Sequence, residues 1–180
     1  MERDDTKRAT VDVRHATPAD VPELAALGVR TFAAAFAGRV GDDALAQYLA
    51  SAFSEAQIAS ELAAPGSVFL IARDGDTPVG YARVLADEPH ASVPSRKAIR
   101  IVRIYVEHDR LGTGLGAALM NAVVSEARHM GGDALWLRVW EKNHRAIRFY
   151  ERAGFRTCAT LEFEMMGSPK TDLVMWRSLA

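Results

Sequence analysis

Residues 104–116 read IYVEHDRLGTGLG, and this is the most informative segment of the sequence. An apolar strand ending at Val106 leads into a loop with glycine at every second position, namely Gly112, Gly114 and Gly116. Because glycine lacks a Cβ atom, the loop backbone can approach a bulky anion closely. The unpaired N–H groups of the next helix, predicted over 112–130, can then bind a phosphate or pyrophosphate. The stretch therefore predicts an anion-binding loop between a strand and a helix.

Two known nucleotide-binding motifs also contain such glycine-rich loops. A P-loop requires Lys and then Ser or Thr after its last glycine, whereas Ala117 and Ala118 follow here. A dinucleotide-binding turn requires an acidic residue about 20 residues further on, at the end of the next strand. Asp133 lies near that distance but precedes the strand. Both motifs therefore fit poorly, and a plain packing role for the glycines stays open.

On either side of this stretch the hydrophobic period alternates between that of strands and that of helices. Strands are predicted at 11–15, 68–72, 79–85, 98–106, 134–140, 155–164 and 172–177. Helices are predicted at 17–36, 42–50, 54–64, 112–130 and 143–153. This order predicts an α/β (mixed α+β) fold in which helices flank a mixed sheet.

A second informative segment, residues 140–155, reads WEKNHRAIRFYERAGF. Asn143 is suited to cap the helix that follows it. Tyr150 shares a helical stripe with Ala146, Ile147 and Ala153, and a tyrosine on such a stripe usually packs in the core. The spacing from Asn143 through Tyr150 to Gly154, after a strand and a glycine-loop helix, indicates a further role.

Together the two segments resemble the GNAT (Gcn5-related N-acetyltransferase) superfamily. The acetyl-CoA loop of that superfamily reads Gln/Arg-x-x-Gly-x-Gly/Ala, and Leu111 stands here in place of the usual Gln or Arg, with Arg110 one residue earlier. The second segment follows the pattern Asn-x-x-Ala-x-x-Phe-Tyr-x-Lys/Arg-x-Gly-Phe, carried by Asn143, Ala146, Phe149, Tyr150, Arg152, Gly154 and Phe155. The resemblance extends over residues 10–178 in element order.

The resemblance implies a GNAT fold with a mostly antiparallel sheet of about 6–7 strands, in which the splayed strands 98–106 and 134–140 hold acetyl-CoA. It implies an enzyme that transfers the acetyl group to a primary amine of a small molecule by direct attack, with Tyr150 as the general acid. Contacts to acetyl-CoA are implied for Ile104, Tyr105, Val106, Leu111, Gly112, Thr113, Gly114, Leu115, Gly116, Asn143 and Arg152. For Arg152 a solvated helix face is an equal alternative.

A closer likeness is to the bacterial PaiA-type spermidine/spermine N-acetyltransferases, which makes a polyamine one candidate acceptor, beside an amino-acid-like molecule. This likeness is carried by residues 31–32, 36, 48–49, 51–53, 103–106, 139–143, 171–173 and 175. Val102 stands where that pattern tends to have an acid, and Arg100 and Arg103 are expected to be exposed and unpaired. Unpaired arginines repel a polycation, which weakens the polyamine interpretation.

The general base is open at this stage. Candidates for the base or for substrate contact are Glu88, His90, Glu141, Glu162 and Glu164, and a water molecule is a further candidate. The five histidines are scattered without a metal-ligand spacing, so no catalytic metal is expected.

Composition limits the remaining classes of function. The net charge is −1 with interleaved signs, which argues against nucleic-acid binding. The single cysteine, Cys158, excludes an internal disulfide and fits a reducing cytoplasm. Residues 1–9 are polar and aperiodic, so they are expected to form a disordered tail before a single domain at 10–180. Neither a signal peptide nor a membrane-spanning run is expected from the sequence. Dimers are common in the superfamily, so the resemblance also implies a homodimer.

Two other functions fit the same sequence. One is a regulatory acyl-CoA-binding module without turnover, because an acid is missing from the strand 98–106 and Leu111 departs from the loop pattern. The other is acetylation of a protein or peptide amine, which requires an open groove beside the acetyl-CoA site.

Overall fold

The computed structural model describes residues 11–165 and 167–180, so the predicted tail at 1–9 lies outside the described residues. The strands are β1 (Val11–His15), β2 (Ser67–Asp74), β3 (Thr77–Leu85), β4 (Ala98–Val106), β5 (Ala134–Trp140), β6 (Arg156–Met165) and β7 (Ser168–Ser178). The helices are α1 (Val21–Phe36), α2 (Asp42–Ala52), α3 (Glu55–Ala63), α4 (Leu115–His129) and α5 (His144–Arg152).

The strands form one sheet in the order β1-β2-β3-β4-β5-β7-β6. Across the described residues, β4 and β5 are parallel and every other neighbouring pair is antiparallel. This is the predicted mixed, mostly antiparallel sheet of the GNAT fold, and the prediction is confirmed. The single-domain boundary at residue 10 stays a prediction.

The parallel pair β4–β5 separates along its length. Ala98–Ile101 pair with Ala134–Leu137, and no pairing continues beyond Ile101 and Leu137 in the described chain. On its other edge β4 contains a bulge, because Arg83 pairs with Arg103 while Val84 pairs with Ile101. The extra residue, Val102, increases the local twist and turns the end of β4 away from β5. The predicted splay of the two strands is therefore present.

Each face of the sheet is covered by its own group of helices. Leu119 and Val123 of α4 pack with Leu135 and Leu137 on one face, where α5 also lies. Helices α1, α2 and α3 cover the other face, where Leu24 and other apolar side chains pack on β2 and β3. The gap between β4 and β5 thus connects two spaces that are walled by different helices.

Three element boundaries differ from the sequence predictions by more than two residues. Helix α4 begins at Leu115, not at Gly112, because Gly112 and Gly114 adopt left-handed φ values of 80° and 92°. The chain before α1 forms a 3₁₀ turn over Pro18–Asp20, and the α-helix starts at Val21. Strand β7 begins at Ser168 rather than at residue 172, because the β6–β7 hairpin pairs as far as Met165 with Ser168.

The predicted exposed and unpaired state of Arg100 and Arg103 is wrong. The Arg103 guanidinium binds the carboxylate of Glu61 from α3, and Arg83 of β3 contacts the same carboxylate at 3.0 Å. These three side chains are only 10–11% exposed. Arg100 pairs with Asp87 at 3.1 Å. The partners lie on other elements and so are not visible in the pattern of β4 alone.

Replacement of Glu61 by Gln should destabilise the fold by about 3 kcal/mol, because it leaves two largely buried guanidinium groups without a counter-charge. Urea unfolding followed by circular dichroism measures this change. Glu88→Gln removes the same charge at an exposed loop position and should change the free energy of unfolding by less than about 0.5 kcal/mol. Equal effects of the two substitutions would contradict a structural role for the buried cluster.

Candidate active site

One cavity of about 970 Å³ passes through the gap between β4 and β5. On the side of α4 and α5 it is lined by the glycine loop and by Phe149 and Tyr150. On the side of α1 it is lined by Phe32 and Phe36, together with residues of β6 and β7. The cavity therefore joins the two faces of the sheet at the point where the strands separate.

The glycine loop presents free backbone donors to this cavity. Gly114 precedes α4, and the first backbone bond of the helix runs from the Ala118 N–H to the Gly114 carbonyl at 3.0 Å. Within the described chain, the N–H groups of Leu115, Gly116 and Ala117 therefore have no backbone partner. A Cβ atom on Gly116 would lie 3.3 Å from the Phe149 ring, so this glycine also keeps α4 close to α5.

The predicted loop residues divide into two groups. Leu111, Gly112, Gly114 and Gly116 line the cavity. Leu115 has its side chain in the core, and Thr113 is exposed with its hydroxyl donating to the Arg110 carbonyl at 2.7 Å. Leu115 can therefore contribute only its backbone N–H, and the Thr113 N–H already donates to the Arg110 carbonyl at 3.4 Å.

Cationic side chains surround the same end of the cavity. Arg152 and Arg145 are seven residues apart on α5, so they lie on one helix face, and both are exposed and line the cavity. Arg110 also lines it and pairs with Asp74 at 2.8 Å. Arg145 is absent from the sequence-based list, although its seven-residue spacing from Arg152 could have indicated it. The loop donors and these charges together suit a ligand with several phosphates.

The central part of the cavity is walled by β4 and the start of α5. Ile104, Tyr105 and Val106 all line it, beyond the point where β4 pairs with β5. The Asn143 side-chain oxygen caps α5 by accepting the Ala146 N–H at 3.2 Å. The cap uses only this oxygen, so the amide nitrogen of Asn143 is available to donate to a ligand in the cavity.

Tyr150 lies in the wall of the same region. The residue is 8% exposed, and its ring packs edge-on against Phe149 and Phe155 with centroids 5.3 and 5.7 Å away. Burial, with a smaller contribution from Tyr105, raises the pKa of the Tyr150 phenol above its ordinary value. In the described part of the chain its hydroxyl has no hydrogen-bond partner. The Tyr150 phenol is thus protonated at neutral pH and free to donate a hydrogen bond.

Beyond the gap lies an aromatic chamber, which we define by Phe32, Phe36, Trp140 and Phe163. Phe36 stacks on Phe32 and on Trp140, with ring centroids 4.3 and 5.7 Å apart. The Arg138 guanidinium lies over the Phe163 ring at 5.0 Å. Aromatic walls of this kind favour an apolar or aromatic ligand group.

One carboxylate, that of Asp172, lines the cavity within residues 11–165 and 167–180. Its Oδ2 accepts from Arg138 Nε and Nη2, both at 3.1 Å, and neither contact uses Oδ1. Burial raises the pKa of Asp172, and Arg138 opposes this shift. The candidate bases predicted from the sequence, namely Glu88, His90, Glu141, Glu162 and Glu164, do not line the cavity.

Comparison with known proteins gives the family. A profile described as the acetyltransferase (GNAT) family matches residues 38–155, well over half of the chain. The chain belongs to this family. As a GNAT protein it is an acetyl-CoA-dependent N-acetyltransferase.

Relatives of similar length support the assignment. An uncharacterized N-acetyltransferase of Mycobacterium tuberculosis (strain H37Rv) is 33% identical over 160 residues, covering 89% of this chain and 98% of the relative. A second, from Lactobacillus delbrueckii subsp. lactis, is 28% identical over 160 residues, covering 89% of this chain and 92% of the relative.

Solved structures share the fold. The PaiA N-acetyltransferase of Thermoplasma acidophilum, in complex with coenzyme A, superposes with a TM-score of 0.74 and 17% identity, covering 94% of this chain and 99% of that chain. The YncA protein of Salmonella typhimurium, solved with acetyl-CoA, superposes with a TM-score of 0.67 and 20% identity, covering 95% of each chain. At these identities the likeness concerns the fold alone.

The described residues include neither a metal-binding cluster nor a membrane-spanning helix. They contain no group of three His, Cys, Asp or Glu side chains arranged to hold a metal ion. Their helices include none that is both long and apolar enough to cross a membrane.

Substitution of Gly114 by Ala should weaken coenzyme A binding about tenfold. A side chain at a left-handed φ costs about 1–2 kcal/mol, so the loop should leave this conformation and its N–H groups should lose their alignment. Isothermal titration calorimetry with coenzyme A measures the effect. Gly38→Ala introduces a similar strain at φ 71° in a loop outside the cavity and should leave the affinity unchanged. A matching loss in Gly38→Ala would contradict a role for the loop geometry.

Proposed function

We propose that this enzyme transfers the acetyl group of acetyl-CoA to a primary amine of a small molecule by direct attack, with Tyr150 as the general acid. The proposal rests above all on the continuity of the cavity. A single space joins a phosphate-binding loop to an aromatic chamber, and the unengaged Tyr150 hydroxyl lies in the wall on the loop side.

The residues of the loop side fit the acetyl donor. The N–H groups of Gly112, Gly114, Leu115 and Gly116 would bind the pyrophosphate, and Arg145 and Arg152 would add charge. The N–H groups of Leu111 and Thr113 already donate to the His108 and Arg110 carbonyls at 3.3 and 3.4 Å, so these two residues would shape the loop. The unpaired edge of β4 at Ile104, Tyr105 and Val106 would bind the amide-containing arm, because its backbone groups have no partner on β5. Asn143 would donate to the same arm through its amide nitrogen.

The chemistry requires an amine without its proton and a protonated leaving group. An amine with a pKa of ~10.4 loses its proton at pH 7 at a cost of about 4–5 kcal/mol. The amine nitrogen forms a bond to the thioester carbonyl carbon, and the carbon–sulfur bond breaks. The thiolate that leaves, with a pKa near ~8.5, takes a proton from the Tyr150 phenol. Most of the rate enhancement would come from holding amine and thioester together.

The chamber supports a small acceptor rather than an extended peptide. Phe32 and Phe36 of α1 cover one side, and Phe163 of the β6–β7 hairpin covers another. The grounds for a module without turnover are also weaker, because Asp172 places a carboxylate on the acceptor side. The homodimer and the cytoplasmic location inferred from the sequence stay predictions.

The substitution Tyr150→Phe should lower kcat at least about tenfold and leave the affinity for coenzyme A unchanged, because it removes only the proton donor. Release of free coenzyme A thiol measures kcat, and calorimetry measures the affinity. Because the pKa of Tyr150 is raised, the phenol stays protonated up to about pH 10. As the pH is raised from neutral, wild-type kcat should therefore not decline until the pH exceeds that value.

Tyr81→Phe is the matched control for this experiment. The Tyr81 hydroxyl is fully buried without a partner in the described residues and lies outside the cavity. Its removal should leave kcat unchanged and the stability equal or slightly higher. Wild-type turnover that is unaffected in Tyr150→Phe would refute the general-acid role.

A further inference from the structure

The part of the cavity beyond the gap carries more positive than negative charge. Among the described residues, Arg103, Arg138 and Lys170 line this part, and Asp172 is the one carboxylate there. Arg103 shares Glu61 with Arg83, so that buried cluster also has one cation in excess. An acceptor with several ammonium groups would be repelled here, whereas an acceptor that carries one anionic group would be attracted.

The charges lie at two adjacent positions on β7. Lys170 and Asp172 are two residues apart, so both project from the same face of the strand about 6.5 Å from each other. Lys170 pairs in register with Phe163 of β6, and Asp172 pairs with Trp140 of β5. The Lys170 ammonium also lies over the Trp140 ring at 5.0 Å. An anion-binding group and a cation-binding group therefore lie side by side, between aromatic rings.

This arrangement is complementary to a zwitterion. The Oδ1 atom of Asp172 is left over by its contacts with Arg138 and can accept a hydrogen bond from an ammonium group. The flexible Lys170 side chain can pair with a carboxylate. Phe32, Phe36 and Trp140 offer apolar surface to the rest of the ligand.

We infer that the acceptor is a free amino acid with an aromatic or bulky apolar side chain, acetylated on its α-amino group. This inference rests on the proposed function and adds the class of acceptor. The amine nitrogen gains an acetyl group and loses two protons. One proton goes to solvent, and the other replaces the proton that Tyr150 gives to the thiolate. Coenzyme A leaves as the free thiol. No oxidant or further reactant is needed.

Four amines test the inference by separating charge from apolar bulk. L-phenylalanine carries both the carboxylate and the ring, phenethylamine lacks the carboxylate, L-alanine lacks the ring, and spermidine is a polycation. Release of coenzyme A thiol from acetyl-CoA gives kcat/KM for each amine. We expect L-phenylalanine to exceed each of the other three at least about tenfold, because each of those lacks one matched group or adds repulsion.

Charge reversal at Lys170 sharpens the test. In Lys170→Glu, kcat/KM should fall at least about tenfold for L-phenylalanine and rise for phenethylamine and spermidine, because the charge at position 170 changes sign and the positive excess of this part of the cavity is lost. Lys170→Gln, which removes the charge alone, should show the same loss without the gain. Lys142→Glu makes the same reversal at an exposed position outside the cavity and should leave the preference unchanged. Thermal unfolding verifies that each variant is folded.

Three outcomes would overturn the inference. Preference for spermidine or phenethylamine in the wild type would refute the acceptor class while leaving the proposed acetyl transfer intact. An unchanged preference in folded Lys170→Glu would refute the role of Lys170 and the charge argument. Absence of turnover with all four amines, in a protein that binds acetyl-CoA and acetylates another amine, would refute the acceptor class; absence with every amine in a wider set would refute the proposed function itself.

Discussion

The separation of β4 and β5 determines where the parts of the cavity lie. Neighbouring strands normally exchange backbone hydrogen bonds along their whole length, and here that exchange ends at Ile101 and Leu137. The bulge at Val102 turns β4 aside, and the unpaired backbone that follows becomes a wall of the cavity. The glycine loop, Tyr150 and the aromatic chamber are all placed with respect to this one opening.

Local signals predicted much of this arrangement. The alternating glycines after Val106 indicated the loop. The change in hydrophobic period on either side of it indicated the strands and helices, and their order indicated the mixed sheet. The predicted start of α4 at Gly112 is wrong, because the spacing of Gly112 and Gly114 does not reveal their left-handed φ values. Asn143 and Tyr150 entered the predicted site through a resemblance to a known family, since a tyrosine on an apolar stripe is otherwise a core residue.

The remaining site residues depend on pairings between distant parts of the chain. Asp172 comes to the cavity because β7 inserts beside β5, and Lys170 because the β6–β7 hairpin is longer than its sequence pattern suggested. The sequence around Arg103 does not show its ion pair, because its partner Glu61 lies 42 residues away on α3. Arg103 was therefore expected to be exposed. Strand order and ion pairing of this kind are tertiary properties, so the period of a single segment cannot reveal them.

The short parallel ladder also has a mechanical consequence. The β1–β4 half of the sheet and the β5–β7–β6 half are joined edge to edge only along Ala98–Ile101 and Ala134–Leu137 in the described chain. A ligand that fills the opening would contact both halves, in place of the hydrogen bonds that β4 and β5 do not form with each other there. Among the described strand pairs this one has the shortest ladder, so binding of the acetyl donor would strengthen the connection between the two halves before any acceptor arrives.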